Sequence, residues 1–197
     1  MQGYFARKEY QRRLEMGRHN LSDYYRLYSK SWHKDVLLEY RPRQVEMDGV
    51  PLTGSIDKLE LLNATTARIV DYKTGSQNDG KLRRPSNANP QGGSFWRQLV
   101  FYKILYESHP ANTRLAKSGV ISYLEPNGSG KLVEKEVAYT PEDVQQVKGM
   151  IRSVYEKIMV HDFYSGCGEA NCPWCNFVRH NELVDSFSEP EVEELDD

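Results

Sequence analysis

The sequence predicts a globular domain of the α/β (α+β) class, and three observations point to it. The chain has 197 residues, of which 39% are hydrophobic and 27% charged, a composition typical of a folded domain with one core. Apolar residues recur at helical spacing near the start, in the middle and toward the end of the chain. Between those stretches lie apolar, β-branched runs that end at Gly- and Asn-rich turns, as strands do.

The first part of the chain predicts helices followed by a meander of strands. Residues 4–16 and 21–32 have helical patterns, and Asn20 or Ser22 could cap the second helix. The aromatic residues of this region could stack on bases, but their helical spacing favours a place in the core. Residues 36–47 predict a strand that turns at Asp48-Gly49 into a second strand, residues 50–62. A turn at Asn63-Ala64 leads to a third strand that ends in residues 68–73.

The second part predicts a long loop, a helix, a hairpin and a last helix. Residues 76–94 are rich in Gly, Asn, Pro, Lys and Arg, and a loop of this length is usually functional or mobile. Its basic residues Lys81, Arg83 and Arg84 suit contact with a nucleic acid, and a mobile polar loop is an equally good interpretation. A helix is predicted over residues 95–106, a hairpin over 119–139, and a helix capped by Thr140 that runs to about residue 160.

Charged side chains gather where the third predicted strand ends. Asp71 and Lys73 share one face of that strand and Tyr72 points to the other, because successive side chains alternate. The pair could be an ion pair at the rim of a sheet. Asp57 lies on the adjacent antiparallel strand, however, and two carboxylates that approach each other repel unless a cation lies between them. Oxygen ligands suit Mg²⁺ or Mn²⁺, and the Tyr72 carbonyl is a natural further ligand. Glu39 could add a carboxylate, although an exposed strand residue is the better interpretation.

Three short motifs occur in a fixed order over roughly residues 38–106. They are Gly54-Ser55-Ile56-Asp57-Lys58-Leu59, Asp71-Tyr72-Lys73-Thr74-Gly75 and Gln98-Leu99-Val100-Phe101-Tyr102. Each motif is weak alone. Together, with strand, turn, strand, loop and helix between them, they resemble the RecB-like branch of the PD-(D/E)XK nuclease superfamily.

The resemblance implies a fold, a reaction and a partner. The fold would be a restriction-endonuclease-like mixed sheet flanked by helices. Asp57 and Asp71, with the Tyr72 carbonyl, would hold Mg²⁺ or Mn²⁺, and Lys73 would assist the attacking water. Gln98 and Tyr102 would line the DNA site. The expected protein is a metal-dependent deoxyribonuclease that works with a helicase domain or subunit in DNA repair or recombination.

One element of the RecB-like pattern has no clear counterpart. These nucleases carry a metal-binding histidine on a helix upstream of the first aspartate, and His19 and His33 are the only histidines available there. Two interpretations follow. The chain is a fragment whose natural N-terminus lies further upstream, or it is a catalytically incomplete nuclease-fold module that binds DNA or a protein without turnover.

The three cysteines of the chain fall within nine residues. Cys167, Cys172 and Cys175 have the spacing of metal ligands, and an odd, clustered set argues against disulfides. Three thiolates need a fourth ligand to hold a [4Fe–4S] cluster or Zn²⁺. Some RecB-like nucleases join such a group to an upstream cysteine, and His161 or His180 could complete a zinc site instead. Three structural thiols without metal are the alternative.

Charge and hydropathy predict the domain organisation. Residues 181–197 carry eight acidic and no basic residues, and without those eight the formal net charge of −2 becomes +6. The sequence therefore predicts a nuclease domain over residues 1–180, truncated at its N-terminus, and an acidic, disordered tail over 181–197. The basic body is compatible with DNA binding. No apolar run is long enough to span a membrane and no signal peptide is present, so we expect a cytoplasmic protein.

Overall fold

A computed structural model describes residues 7–162, 166 and 172–180 of the chain. The chain divides into two compact units, Met1–Met150 and Ile151–Asp197. The described helices are α1 (Arg7–Tyr28), α2 (Ser94–Glu107), α3 (Pro141–Met159) and α4 (Pro173–His180), with a 3₁₀ turn at Asp79–Leu82. The described strands are β1 (Val36–Tyr40), β2 (Val45–Met47), β3 (Val50–Leu52), β4 (Ile56–Leu61), β5 (Thr66–Lys73), β6 (Leu115–Tyr123) and β7 (Glu134–Ala138).

The main sheet has five strands in the order β1-β4-β5-β6-β7. The pair β5–β6 is parallel and the other neighbours are antiparallel. Parallel neighbours need a crossover connection, and α2 lies in the crossover from β5 to β6. The predicted α/β (α+β) class, a mixed sheet flanked by helices, is confirmed.

The predicted meander is present as β1-β4-β5. Each of its first two predicted strands is divided in two, however: residues 36–47 form β1 and β2, and residues 50–62 form β3 and β4. β2 and β3 form a separate hairpin in which Met47 pairs with Val50. Asp48 (φ +51°) and Gly49 (φ +83°) form its two-residue turn, as Asp-Gly predicts. The second strand breaks near Gly54, whose backbone lies so close to α2 that a Cβ there would be 2.9 Å from the Leu105 side chain.

The N-terminal region forms one continuous helix and not the two predicted helices. Ser22 does not cap a new helix: its hydroxyl donates to the Arg18 carbonyl one turn earlier (2.8 Å). The helix is anchored to the sheet by the buried Tyr24, whose hydroxyl lies 2.6 Å from Ser122 Oγ on β6. The Tyr24 ring also packs edge-on against Tyr72 at a centroid distance of 6.0 Å.

The opposite face of the sheet packs against α2 and contains the main core. Its fully buried members include the residues Leu59, Ile69, Leu99, Leu105 and Ile121. Because strand side chains alternate, Asp57 and Asp71 lie on the same sheet face as Leu59 and Ile69. The candidate site therefore lies where this apolar face ends, below α2.

The start of α3 has the predicted cap. Thr140 Oγ1 accepts a hydrogen bond from the Asp143 N–H (3.2 Å), and Asp143 Oδ2 accepts one from the Thr140 N–H (2.9 Å). These reciprocal bonds satisfy two backbone donors that the helix itself leaves unpaired.

The remaining sequence predictions concern length and termini. No described helix is long and apolar enough to cross a membrane. The predicted acidic tail, residues 181–197, lies outside the described residues. The boundary at residue 180 stays a prediction.

Candidate active site

The two aspartates of the first and second motifs face each other across β4 and β5. Lys58 pairs with Val70, and the same register continued by one residue sets Asp57 opposite Asp71. Asp57 Oδ2 accepts a hydrogen bond from the backbone N–H of Tyr72 (2.9 Å). The N–H and C=O of one strand residue point toward the same neighbouring strand. The Tyr72 carbonyl is therefore directed to the side on which Asp57 lies.

Asp71 is a buried carboxylate with an incompletely satisfied oxygen. It is 1% exposed, and its Oδ2 lies 2.6 Å from Lys73 Nζ. Despite this short ion pair, Oδ2 has no partner of acceptable hydrogen-bond geometry among the described residues. Burial raises the pKa of Asp71 and the charge of Asp57 adds to the rise, which Lys73 opposes only in part. Two carboxylates on adjacent strands, one of them buried with an unsatisfied oxygen, are a donor set that fits the predicted Mg²⁺ or Mn²⁺, which Asp57 and Asp71 would hold.

Helix α2 contributes the third motif and holds the lysine. Lys73 Nζ donates to Gln98 Oε1 (2.8 Å), and Gln98 Nε2 donates to the Tyr102 hydroxyl (2.9 Å). Burial raises the pKa of Tyr102, the hydrogen bond from Gln98 opposes the rise, and the carboxylates of Asp71, Asp57 and Glu39 add to it. The phenol therefore stays protonated. Because it already accepts from Gln98, its own proton is available to a further acceptor.

The structure thus brings together the five side chains predicted for the site, namely Asp57, Asp71, Lys73, Gln98 and Tyr102. It also adds Phe95, which the sequence analysis missed. The ring lies 4.9 Å from Lys73 Nζ and 4.8 Å from Lys81 Nζ, measured to the centroid. Phe95 precedes Gln98 by three residues and so shares its helical face, which is a signal that the sequence does contain.

Glu39 extends the acidic row to a third strand. The β1–β4 register pairs Leu38 with Lys58 and Tyr40 with Ile56, which sets Glu39 opposite Asp57. Its φ of +48° is unusual for a residue other than glycine. The side chain is 67% exposed and lies 3.5 Å from Arg41. The exposed strand carboxylate that the sequence favours is thus present, at the edge of the site.

Other candidates lie elsewhere or have structural partners. His33 Nε2 lies 2.7 Å from the carbonyl oxygen of Leu61, at the opposite end of β4 from Asp57. The exposed His19 pairs with Asp23 on α1 (3.2 Å). The contacts of these two histidines therefore lie away from Asp57 and Asp71. Arg84 donates two hydrogen bonds to the buried Asp143 (2.8 and 3.0 Å). This loop residue therefore has a structural role.

The cysteine group is described only in part. Cys172 and Cys175 lie just before and within the first turn of α4, and Cys167 lies outside the described residues. Gly166 has a φ of +68°, and a Cβ there would lie 3.3 Å from Cys175 Sγ. Among the described residues, no three or more His, Cys, Asp or Glu side chains form a group that could hold a metal ion. The predicted metal at the cysteines stays a prediction.

Comparison with known proteins matches one family over most of the chain. The profile of the PD-(D/E)XK nuclease superfamily matches residues 2–179. A search of curated proteins gave no significant match.

Two solved structures are similar at low identity. One is a candidate exonuclease from Eubacterium rectale, with 14% identity, 78% of this chain and 54% of that chain covered, and a TM-score of 0.47. The other is SSO0001, with 16% identity, 71% and 59% covered, and a TM-score of 0.39. This chain therefore matches little more than half the length of either protein.

Proposed function

Because this chain belongs to the PD-(D/E)XK nuclease superfamily, whose restriction-endonuclease-like fold its mixed sheet shares, we propose that it is a metal-dependent deoxyribonuclease. Nucleases of this superfamily generally use divalent metal ions. The observation that supports the proposal most directly is the buried, incompletely satisfied Asp71 carboxylate between Asp57 and Lys73. A merely structural carboxylate at this depth would be expected to have all its hydrogen bonds.

Each side chain of the proposed site has a separate task in hydrolysis of a phosphodiester. Asp57, Asp71 and the Tyr72 carbonyl would hold Mg²⁺ or Mn²⁺. The ion, when bound, supplies Lewis-acid stabilisation of the phosphate charge. Lys73 would orient the attacking water and offset the negative charge that develops on the phosphate. Gln98 positions the Lys73 ammonium, and the protonated Tyr102 donates a hydrogen bond to DNA.

The test is cleavage of single-stranded and duplex DNA in Mg²⁺ or Mn²⁺ by matched variants. We expect Asp71→Asn to abolish cleavage and Lys73→Met to slow it by about 100-fold or more. The controls are Asp35→Asn and Lys117→Met, which alter exposed side chains in the same chemical way. Cleavage that persists unchanged in Asp71→Asn would refute the assignment.

A second candidate function is DNA binding without turnover. The observation that favours it concerns metal ligands. Among the described residues, no histidine or further carboxylate joins Asp57 and Asp71 in a group of three or more side chains that could hold a metal ion. This alternative predicts that DNA is bound but not cleaved in either metal ion. Any cleavage that depends on Asp71 excludes it.

The resemblance of the three motifs to RecB-like nucleases supports a finer proposal, which is action alongside a helicase in repair or recombination. Such an enzyme would receive DNA whose strands have been separated. We therefore expect faster cleavage of single-stranded DNA than of a blunt duplex of the same sequence. Equal rates on the two substrates would count against a helicase partner.

We also propose that the cysteine group binds a structural metal, either a [4Fe–4S] cluster or Zn²⁺. The metal-ligand spacing of the three cysteines supports it, and the Gly166 backbone approaches the Cys175 thiol, since a Cβ at Gly166 would lie 3.3 Å from Cys175 Sγ. Elemental analysis and the visible absorption spectrum of freshly purified protein distinguish the two metals. Protein that contains neither iron nor zinc would refute this proposal and leave the nuclease proposal intact.

A further inference from the structure

Lys81 lies near the proposed catalytic lysine, Lys73, although the two are eight positions apart in the sequence. Its ammonium and that of Lys73 both contact the ring of Phe95, at 4.8 and 4.9 Å from the centroid. Contact with one ring keeps the two nitrogens within about 10 Å of each other. Lys73 lies 2.6 Å from a carboxylate, whereas Lys81 has no carboxylate partner among the described residues.

The backbone of Lys81 is held in place by several contacts. The Gly93 N–H donates to the Arg83 carbonyl (2.8 Å), which joins the 3₁₀ turn to the start of α2. A Cβ at Gly93 would clash with the Lys81 carbonyl, so glycine permits this close approach. On the other side, Asp79 Oδ2 lies 3.5 Å from Lys135 Nζ of β7. The ammonium is thus presented by an ordered turn.

We propose that Lys81 binds the DNA phosphate next to the one that is cleaved. This inference rests on the proposed nuclease function. Successive phosphates of one strand are closely spaced, and two ammoniums within about 10 Å can contact the cleaved phosphate and a neighbour at the same time. An exposed cation–π contact contributes only about 0.5–1 kcal/mol, and it does not account for a second cation beside Lys73.

The proposal assigns Lys81 to binding and Lys73 to the chemical step. A contact to a neighbouring phosphate is equally strong in the ground state and in the transition state. Its loss therefore raises KM and leaves kcat unchanged. In contrast, a group that acts on the cleaved phosphate would lower kcat.

The first experiment measures binding of a labelled single-stranded oligonucleotide in EDTA, in which the proposed metal-dependent cleavage cannot proceed. We expect Lys81→Gln to raise Kd several-fold and to lower the magnitude of the slope of log Kd against log salt by about 0.7, the value for one phosphate contact on a single strand. Lys81→Arg should keep the wild-type slope. Lys117→Gln alters an exposed lysine at the end of β6 that is remote from Lys73, and it should not change the salt slope.

The second experiment measures kcat and KM for the same variants in Mg²⁺. We expect Lys81→Gln to raise KM with kcat within about twofold of wild type, since the lost contact is equally strong in the ground state and in the transition state. A lowered kcat at unchanged KM, or a salt slope equal to that of Lys117→Gln, would overturn the proposal.

The two proposals can fail separately. If Asp71→Asn abolishes cleavage but Lys81→Gln binds DNA as the wild type does, only the role of Lys81 is wrong. If the wild type does not cleave DNA but Lys81→Gln still lowers the salt slope, the nuclease function is wrong and Lys81 remains a DNA contact. Unchanged thermal unfolding of Lys81→Gln shows that the turn is intact in that variant.

Discussion

Asp71 is the residue at which stability and proposed function oppose each other. Its carboxylate is buried and its pKa is raised, first by burial and then by Asp57, against the opposing effect of Lys73. A carboxyl whose pKa is higher in the folded than in the unfolded state destabilises the fold once it is ionised. At neutral pH, and without a cation, the ionised side chain therefore costs folding free energy.

We predict that Asp71→Asn is more stable than the wild type in EDTA and less responsive to metal. A ligand that binds only the folded state stabilises it by about 2.7 kcal/mol at a concentration 100 times its Kd. Mg²⁺ or Mn²⁺ should therefore raise the Tm of the wild type and of Asp35→Asn but not that of Asp71→Asn. Thermal unfolding with and without the ions measures this. An equal rise in Asp71→Asn would show that the ion binds elsewhere.

The site residues differ in how well the sequence could predict them. Asp71 and Lys73 are two positions apart on a strand, and Gln98 and Tyr102 are four apart on a helix, so local periodicity sets which side chains share a face. Lys81 approaches Lys73 only because the loop folds back onto α2. That path depends on tertiary contacts of Gly93, which no local pattern encodes.

Among the elements, the joint between the 3₁₀ turn and α2 depends on one glycine. Asn78 Oδ1 accepts a hydrogen bond from the Gly80 N–H (3.0 Å), which stabilises the turn locally. Gly93 then brings the turn against the helix, where a side chain would meet the Lys81 backbone. A backbone atom cannot move aside as the end of a flexible side chain can.

We predict that Gly93→Ala and Gly149→Ala change stability in opposite directions. Gly93→Ala should lower the free energy of unfolding by about 1–3 kcal/mol, the usual cost of overpacking. Gly149 lies in the exposed part of α3, and a Cβ there meets no described atom within 4 Å. Alanine at that position should raise stability by up to about 1 kcal/mol through helix propensity. Urea unfolding measures both variants, and a stabilised Gly93→Ala would contradict the close approach.

Element boundaries were the weaker part of the sequence prediction. The Asp-Gly turn between β2 and β3 was predicted correctly because a type I′ turn requires positive φ at both positions, which Asp and Gly tolerate. The single helix α1 was not, since Ser22 resembles a cap but bonds to the preceding turn instead. Local composition does not distinguish these two uses of a serine hydroxyl.

Across the whole molecule, Asp143 connects three segments that are distant in sequence. Its carboxylate accepts hydrogen bonds from Arg84 of the long loop, from Trp96 of α2 (3.3 Å) and from the Thr140 backbone. The sheet topology has the same non-local character. The residue pattern predicted the meander and the later hairpin, and the family resemblance implied a mixed sheet, but the parallel pairing of β5 with β6 that joins the two parts was not predicted.

The connection through Asp143 should make stability depend on pH. Burial acts to raise the pKa of Asp143, but the hydrogen bonds from Arg84, Thr140 and Trp96 outweigh it and the pKa is lowered. A carboxyl with a lowered folded pKa contributes its full stability above the unfolded pKa of about 3.9, and loses it as pH falls through the folded value. Asp143→Asn should therefore cost about 1–3 kcal/mol at pH 7.

The difference between wild type and Asp143→Asn should then shrink steadily as the solution is acidified below about pH 4, because the protonated aspartic acid also lacks the charge that Arg84 requires. Urea unfolding of both proteins at pH 7, 5 and 3.5 measures the difference directly. Asp35→Asn, which changes an exposed carboxylate, should show little difference from wild type at any of these values. A difference that grew on acidification would mean that Asp143 is neutral in the folded protein, and that the loop is joined to α2 and α3 by packing and not by charge.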